Sequence, residues 1–299
     1  MGHGRTLEYP KTPINRVNRY NQRATYDLEQ IHTIINTSTV LHVSFNTPDA
    51  ANPFPVTLPS SSFQMIMSHP SQMVGVAASF DHPSSSLGEP LDVYLHGYVS
   101  SRLMNLSRRA ETGAEVGGTA TSAPEAGLPV TISATKVDGL VLTLTPNTHD
   151  VNYRSATVYG YATLVSSTDE KLWAMETITN SVVSGRWAHT RVPPDTAEMT
   201  STSILKVKVV GGSGKIRVGG PRDERKDLDR ADVRAQVWTG TIPVWESFGD
   251  PVAFEGVSVG DGKGNLVPVV PEHVVSFVRE RRGENERYAL AAVEDRSQD

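Results

Sequence analysis

The chain has 299 residues, enough for one large domain or two small ones, and its 38% hydrophobic and 20% charged composition is ordinary for a soluble globular protein. A net charge of −5 gives no general attraction to nucleic acid or to an anionic membrane, so neither is expected as a partner. The absence of cysteine excludes disulfides, thiolate nucleophiles, zinc–cysteine sites and iron–sulfur clusters. No apolar run approaches the roughly 18 residues of a membrane span, and the N-terminus lacks a signal peptide's apolar core, so a cytoplasmic protein is expected.

In chain order, residues 1–24 read as an extended basic arm, with Arg5, Lys11, Arg16, Arg19 and Arg23 set among prolines and asparagines. Asp27 and Gln30 have capping-box spacing, and Leu28, Ile31, Ile34 and Ile35 form a helical stripe, which places a helix near 26–37. Thr39 to Phe45 alternates as a strand with Leu41, Val43 and Phe45 on its apolar face. Phe54 to Pro59 is a second extended piece, confined by its prolines to an edge or a ligand-facing rim. Residues 79–90 are a loop by composition.

The stretch from Leu91 to Leu106 organises the chain. Leu91, Val93 and Leu95 have strand period up to His96-Gly97, and helical spacing begins after Arg102. Ser101 is a good N-cap type. The unpaired N–H groups of that helix's first turn, its positive dipole end and the Arg102 guanidinium would converge on one spot, a corner suited to a phosphate.

Residues 110–128 have almost nothing to bury and read as a flexible insertion. Val130–Thr135 and Leu140–Thr145 flank Asp138-Gly139, a dipeptide that predicts a hairpin turn. Tyr153 to Val165 reads as a strand with Arg154 at one end of a small apolar face and Ser155 on the opposite face. Ser167 to Glu170 has capping-box spacing ahead of a helix whose stripe is Leu172, Met175, Ile178 and Val182, ended by Gly185. Ser203 to Val210 reads as a strand that Gly211-Gly-Ser-Gly214 turns, and Ala235 to Pro243 as a last strand. The segment 251–299 holds one helix, Glu272 to Arg282, and a charged tail. Short strands dominate, so a mainly β, barrel-like core at 25–250 with peripheral helices is expected.

Gly211-Gly-Ser-Gly-Lys215 lacks the first glycine of a P-loop, and Ile216 stands where a magnesium-binding Ser or Thr would be. His42, His69, His82, His96 and His149 show no paired metal spacing, and no metal site is expected. Lys206, Lys208, Lys215, Arg217 and Arg222 read as an exposed basic face.

Seven segments together carry a resemblance: Pro53 to Pro59, Tyr94 to Gly97 with Ser101 to Leu103, Val137 to Leu142, Asn152 to Ser155, Gly185 to Trp187, Lys215 to Arg217, and Val237 to Pro243. In this order they resemble the pyridoxamine 5'-phosphate oxidase-related, FMN-binding split-barrel proteins, in the branch of the 5-nitroimidazole-resistance reductases. The resemblance implies a six-stranded split barrel, a homodimer and FMN at the subunit interface. Val56, Thr57, Leu58 and Pro59 would offer backbone groups to the flavin ring, and Ser101 and Arg102 would hold the phosphate. His96, followed by Gly97, would stand beside the flavin as the catalytic candidate. Trp238 would cover the ring, and Arg154 and Ser155 would contribute further cofactor contacts. Leu103 replaces the basic residue that follows the Ser-Arg pair in the pyridoxamine oxidases, which argues against that vitamin chemistry.

The leading expectation is an FMN-dependent oxidoreductase acting on a small electron-poor molecule, with NAD(P)H as electron donor. A non-catalytic flavin- or haem-binding module, and a split barrel recruited to a pathway without flavin redox chemistry, are the competing readings.

Overall fold

Alternating apolar residues make strands of most of the segments read that way, and helices fill the longer connections. The computed structural model describes residues 6–47, 54–61, 74–112, 127–254 and 264–294. In order the elements are β1 (Ala24–Thr25), α1 (Leu28–Thr37), β2 (Val40–Phe45), β3 (Val56–Ser61), β4 (Val74–Ala78), β5 (Asp92–Tyr98), α2 (Arg102–Glu111), β6 (Leu128–Leu142), β7 (Asp150–Leu164), α3 (Thr168–Val182), α4 (Thr196–Ser201), β8 (Thr202–Arg217), α5 (Arg225–Leu228), α6 (Ala231–Gln236), β9 (Gly240–Pro243) and α7 (Glu272–Glu294). Seven strands follow the hydrogen-bonded path β3-β2-β6-β7-β8-β5-β4, with β1 joined to β8 and β9 to β6. The β2–β3, β2–β6, β4–β5, β5–β8, β1–β8 and β6–β9 pairs are antiparallel. This mostly antiparallel sheet with peripheral helices is the split-barrel fold.

The chain divides into two compact units: Met1–Lys136, Arg154–Val182 and Arg191–Ile216 form the first, and Val137–Tyr153, Val183–Thr190 and Arg217–Asp299 the second. In the first, β3 and β4, the two ends of the path, lie against each other and bring the sheet round into a barrel. Leu41, Val43 and Phe45 of β2, Val93 and Leu95 of β5, Val130 and Ile132 of β6, and Ala156 and Val158 of β7 fill it. The α1 stripe, Leu28, Ile31, Ile34 and Ile35, joins that core. Asp27 caps α1, accepting the Gln30 N–H at 2.8 Å. The reciprocal half of the expected capping box is replaced, because the Asp27 N–H donates to Thr25 Oγ1.

Tyr94, on the opposite face of β5, belongs to a second cluster with Ala174 and Ile178 of α3, Val76 and Ile204. The buried stripe of α3 is therefore Ala174 and Ile178, with Trp173 and Met175 at its edges, and Leu172 and Val182 lie outside it. Ser167 Oγ caps the helix by accepting the Glu170 N–H. The Glu170 carboxylate does not complete a capping box; it accepts from the Tyr94 hydroxyl at 2.8 Å and from Lys206 Nζ at 3.1 Å.

Two expected turns are continuous strand. Asp138 is buried and Gly139 pairs with Pro243, so β6 runs straight through the expected hairpin, and the reversal falls at 143–149. Likewise β8 passes through Gly211–Gly214. These glycines make room for the N-terminal arm: a Cβ on Gly212 would stand 3.0 Å from the Tyr9 ring, and one on Gly214 would stand 2.6 Å from Thr25 Cγ2. In the second unit, the run expected to form one strand from Ala235 begins instead as α6, and β9 is only Gly240–Pro243. α7 is slightly more than twice as long as expected, continuing past Arg282 to Glu294. Of the expected 110–128 insertion, 110–111 complete α2 and buried Leu128 opens β6, while 113–126 lie outside the described residues. Residues 79–90 form the expected loop.

His32 ties that loop and the arm to α1. Its Nδ1–H donates to the Leu87 carbonyl and its Nε2 accepts from the Tyr9 hydroxyl, both at 2.7 Å. Burial pushes the imidazole pKa below its ordinary 6.5, outweighing the Leu87 carbonyl and the Asp27 charge. A base whose pKa falls on folding takes up its proton preferentially in the unfolded chain. This contribution is therefore intact above about pH 6.5 and is lost as pH falls from there toward the lowered folded value. Urea unfolding at pH 7.5 and 5.5 is expected to show a smaller acid loss for His32→Gln than for the wild type; equal losses would refute the assignment.

Candidate functional site

The end of β5 and the start of α2 form the expected corner. Ser101 is the N-cap: it is buried, with extended backbone, and its hydroxyl accepts the Met104 N–H at 3.4 Å. The Ser101 N–H donates to the Tyr98 carbonyl, and the Ser101 carbonyl accepts from the Asn105 N–H, which fixes the turn between strand and helix. The N–H groups of Arg102 and Leu103 precede any possible intrahelical acceptor. The Arg102 side chain is exposed beside them. Leu103, Met104 and Leu106 are buried, so α2 is held firmly with its N-terminus outward. This chemistry fits an anionic oxygen group such as a phosphate.

His96 and Gly97 lie in β5, where His96 pairs with Val74 of β4 and Ile204 of β8, and buried Gly97 pairs with Ser203. Strand alternation puts His96 on the Tyr94 face, the side where α3 packs, while Gly97 faces the barrel interior. Burial, assisted by the Lys171 charge from α3, holds the His96 pKa below the ordinary value. His96 is therefore neutral at pH 7 and carries a lone pair as well as an N–H. Lys171 itself is pulled down by burial and donates to the Met199 carbonyl.

Val56, Thr57, Leu58 and Pro59 lie on β3 in register with Phe45, Ser44, Val43 and His42. Val56 and Leu58 pack on the core, and the exposed Thr57 hydroxyl meets Ser44 Oγ at 3.0 Å. Because β3 ends the hydrogen-bonded path, its second edge has no strand partner among the described residues and can present backbone groups to a ligand. Arg154 is buried on the small apolar face of β7. Ser155 faces the other way and donates to the Lys215 carbonyl at 3.2 Å, so these two neighbours do not form one contact pair. Trp238, in the second unit, is 66% exposed, and its ring covers Gly240. That exposure rules out a core role.

Three groupings escaped sequence reasoning because their members are far apart in the chain. The first joins Asp92, Tyr94, Glu170 and Lys206. The second brings Lys171 to His96. The third stacks His189 on His273, with ring centroids 3.9 Å apart. The expected exposed basic face is also revised: Arg217 is 2% exposed and Lys206 is ion-paired with both Asp92 and Glu170. Among the described residues no helix is long and apolar enough to cross a membrane, and no group of three or more His, Asp or Glu could hold a metal ion.

No functionally curated protein matches the sequence. Solved structures similar to this fold include the flavocytochrome Anf3 from Azotobacter vinelandii, 21% identical, with 91% of this chain and 99% of that one aligned at a TM-score of 0.62. The FAD and haem binding protein from Mycobacterium smegmatis is 20% identical, with 86% of this chain and 97% of that one aligned at 0.59. The family model described as pyridoxamine 5'-phosphate oxidase matches residues 27–216, from the α1 cap through β8. That span contains the Ser101–Arg102 corner, His96 and the β3 edge, and the chain belongs to the pyridoxamine 5'-phosphate oxidase family.

Proposed function

We propose that this chain is a flavin-dependent oxidoreductase that acts on a small electron-poor molecule as a cytoplasmic homodimer. The observation that carries the reading is the capped N-terminus of α2, with Ser101 buried at the turn and Arg102 exposed beside unpaired N–H groups, inside the segment that defines the family. The first-turn N–H groups and the Arg102 guanidinium would hold the phosphate of FMN. The β3 edge would offer backbone groups at Val56 to Pro59 to the ring. A bound flavin would supply hydride or electron transfer, with NAD(P)H as the donor class. His96, kept neutral, can accept or donate one hydrogen bond to a substrate without adding a fixed charge. In the second unit, Leu140 and Ile242 are register partners 42% and 46% exposed, and with Trp238 they offer an apolar face to a second copy.

The test is a visible absorption spectrum of the purified protein before and after addition of FMN or FAD, repeated after desalting. Flavin bands are expected to be retained by the wild type. The Ser101→Ala/Arg102→Ala variant, with its circular dichroism unchanged, is expected to bind about 10- to 100-fold more weakly, as loss of a charge-assisted hydrogen bond worth about 1.5–3 kcal/mol implies. Retention of FAD but not FMN would change the flavin assigned. Failure to take up either would refute the reading. A second reading, in which the chain also carries haem, is supported by two full-length structural neighbours whose descriptions name a flavocytochrome and an FAD and haem binding protein.

A further inference from the structure

Two basic stretches that the flavin reading leaves without a role, the N-terminal arm and the end of β8, meet in the first unit. The arm runs along β8: Asn15 Nδ2 donates to the Gly212 carbonyl at 3.0 Å, and Ala24 pairs with Lys215. Between these anchors the chain turns at Tyr20, whose φ and ψ are both 53°. Bulky side chains seldom adopt that left-handed conformation, and Tyr20 is the one non-glycine residue with positive φ among the described residues. The Arg23 N–H donates to the Tyr20 carbonyl at 3.0 Å and closes the 3-10 turn Asn21–Arg23.

This turn gathers three cations from distant parts of the chain around one ring. Arg23 Cζ stands 4.5 Å from the Tyr20 centroid, Arg19 Cζ 5.1 Å and Lys215 Nζ 5.6 Å. The ring quadrupole attracts each of them, yet a neutral ring does not cancel the repulsion among three like charges. No carboxylate among the described residues is ion-paired with Arg19 or Lys215. Tyr20 is 46% exposed and Arg19 is exposed, so the cluster is open to solvent. Arg23 is buried and Lys215 springs from a paired strand, which holds two of the three cations in place. A strained residue that collects like charges at an accessible point is characteristic of a ligand clamp.

We propose that Arg19, Tyr20, Arg23 and Lys215 form a binding site for a diphosphate group, built from residues other than those of the Ser101–Arg102 corner. Guanidinium groups take phosphate oxygens in pairs through parallel N–H···O bonds, and the Lys215 ammonium adds a point charge. A single phosphate monoester, at about −1.5 to −2, would leave the cluster net positive, and a diphosphate comes closer to balance. The net charge of −5 on the whole chain opposes a long polyanion lying across the surface, so the ligand is a compact one. Inorganic pyrophosphate and the diphosphate of a nucleotide share this chemistry. The site does not depend on the flavin reading.

The experiment is isothermal titration of the full-length protein with pyrophosphate and, separately, with ADP, in phosphate-free buffer at low and high salt. The parent for the titrations is the Ser101→Ala/Arg102→Ala variant, which removes the other anion corner, and flavin content is recorded on every sample. One equivalent of at least one probe is expected to bind, more weakly at high salt. Arg19→Gln and Lys215→Gln should each weaken that binding about tenfold, as loss of a charge-assisted hydrogen bond implies. Arg234→Gln, which removes an exposed cation from the second unit, should bind as the parent does. Tighter binding of ADP identifies a nucleotide as the ligand, and equal or weaker binding identifies the diphosphate alone. The proposal is overturned if neither probe binds, if Arg19→Gln and Lys215→Gln leave binding unchanged, or if Arg234→Gln weakens it equally, in samples of equal melting midpoint.

Discussion

Replacing Arg217 by methionine is expected to destabilise the protein by about 3 kcal/mol, a fall of roughly 6–12 °C in melting midpoint for a chain of this size. The guanidinium is 2% exposed at the end of β8. Nε donates to Asp150 Oδ2 at 2.8 Å, the terminal nitrogens to the Gly219 and Gly220 carbonyls at 3.2 and 3.0 Å, and one of them also to Asn152 Oδ1. Asn152 Nδ2 in turn donates to the Gly219 and Ala292 carbonyls, and the Gly219 N–H donates to Ala292. One cation thus organises the turn after β8 and, through Asn152, the last turn of α7. Methionine keeps most of the volume but leaves these acceptors facing an apolar side chain. Asp150 is 34% exposed and recovers some hydration, which places the loss at the low end of the 3–5 kcal/mol typical of broken buried pairs. Hydrogen exchange at the Gly219 amide should accelerate along with the fall in melting midpoint. An unchanged midpoint would show that the cluster contributes nothing net.

A comparable loss, about 2–3 kcal/mol, is expected for Gly160→Ala. Gly160 lies in mid β7, and a Cβ there would overlap the Lys208 carbonyl oxygen and stand 2.8 Å from Val207 Cγ1. The first obstacle is backbone of the adjacent strand β8, which cannot rotate away as a side-chain tip can. Relief would require β7 and β8 to separate at the centre of the barrel wall. Gly249→Ala is the matched control: nothing lies within 4 Å of its added Cβ, so a change within about 0.5 kcal/mol is expected. Equal midpoints for the two variants in denaturant would show that β7 and β8 can part at no cost.

The sequence by itself determined the elements whose cause is local. Asp27 caps α1 and Ser101 caps α2 because each short polar side chain reaches an N–H only three residues on. The two-residue periods of β2, β5 and β7 are visible because strand faces alternate regardless of what covers them. The capped start of α2 at Ser101 and Arg102, proposed above to hold an anion, was legible for the same reason, since a helix N-terminus carries its donors with it. Tertiary structure alone decided whether glycine-rich stretches turn or run straight. Gly139, Gly212 and Gly214 carry turn chemistry, yet they stay in strands paired with β9 and β1, where Thr241, Tyr9 and Thr25 approach closely enough to leave little room for a side chain. It also decided which charges are spent. Arg217 and Lys206 read as surface cations until Asp150, Glu170 and Asp92, distant in sequence, are brought against them. The stacking of His189 on His273 belongs to the same class: contacts between distant residues have no period, and only the folded chain brings them together.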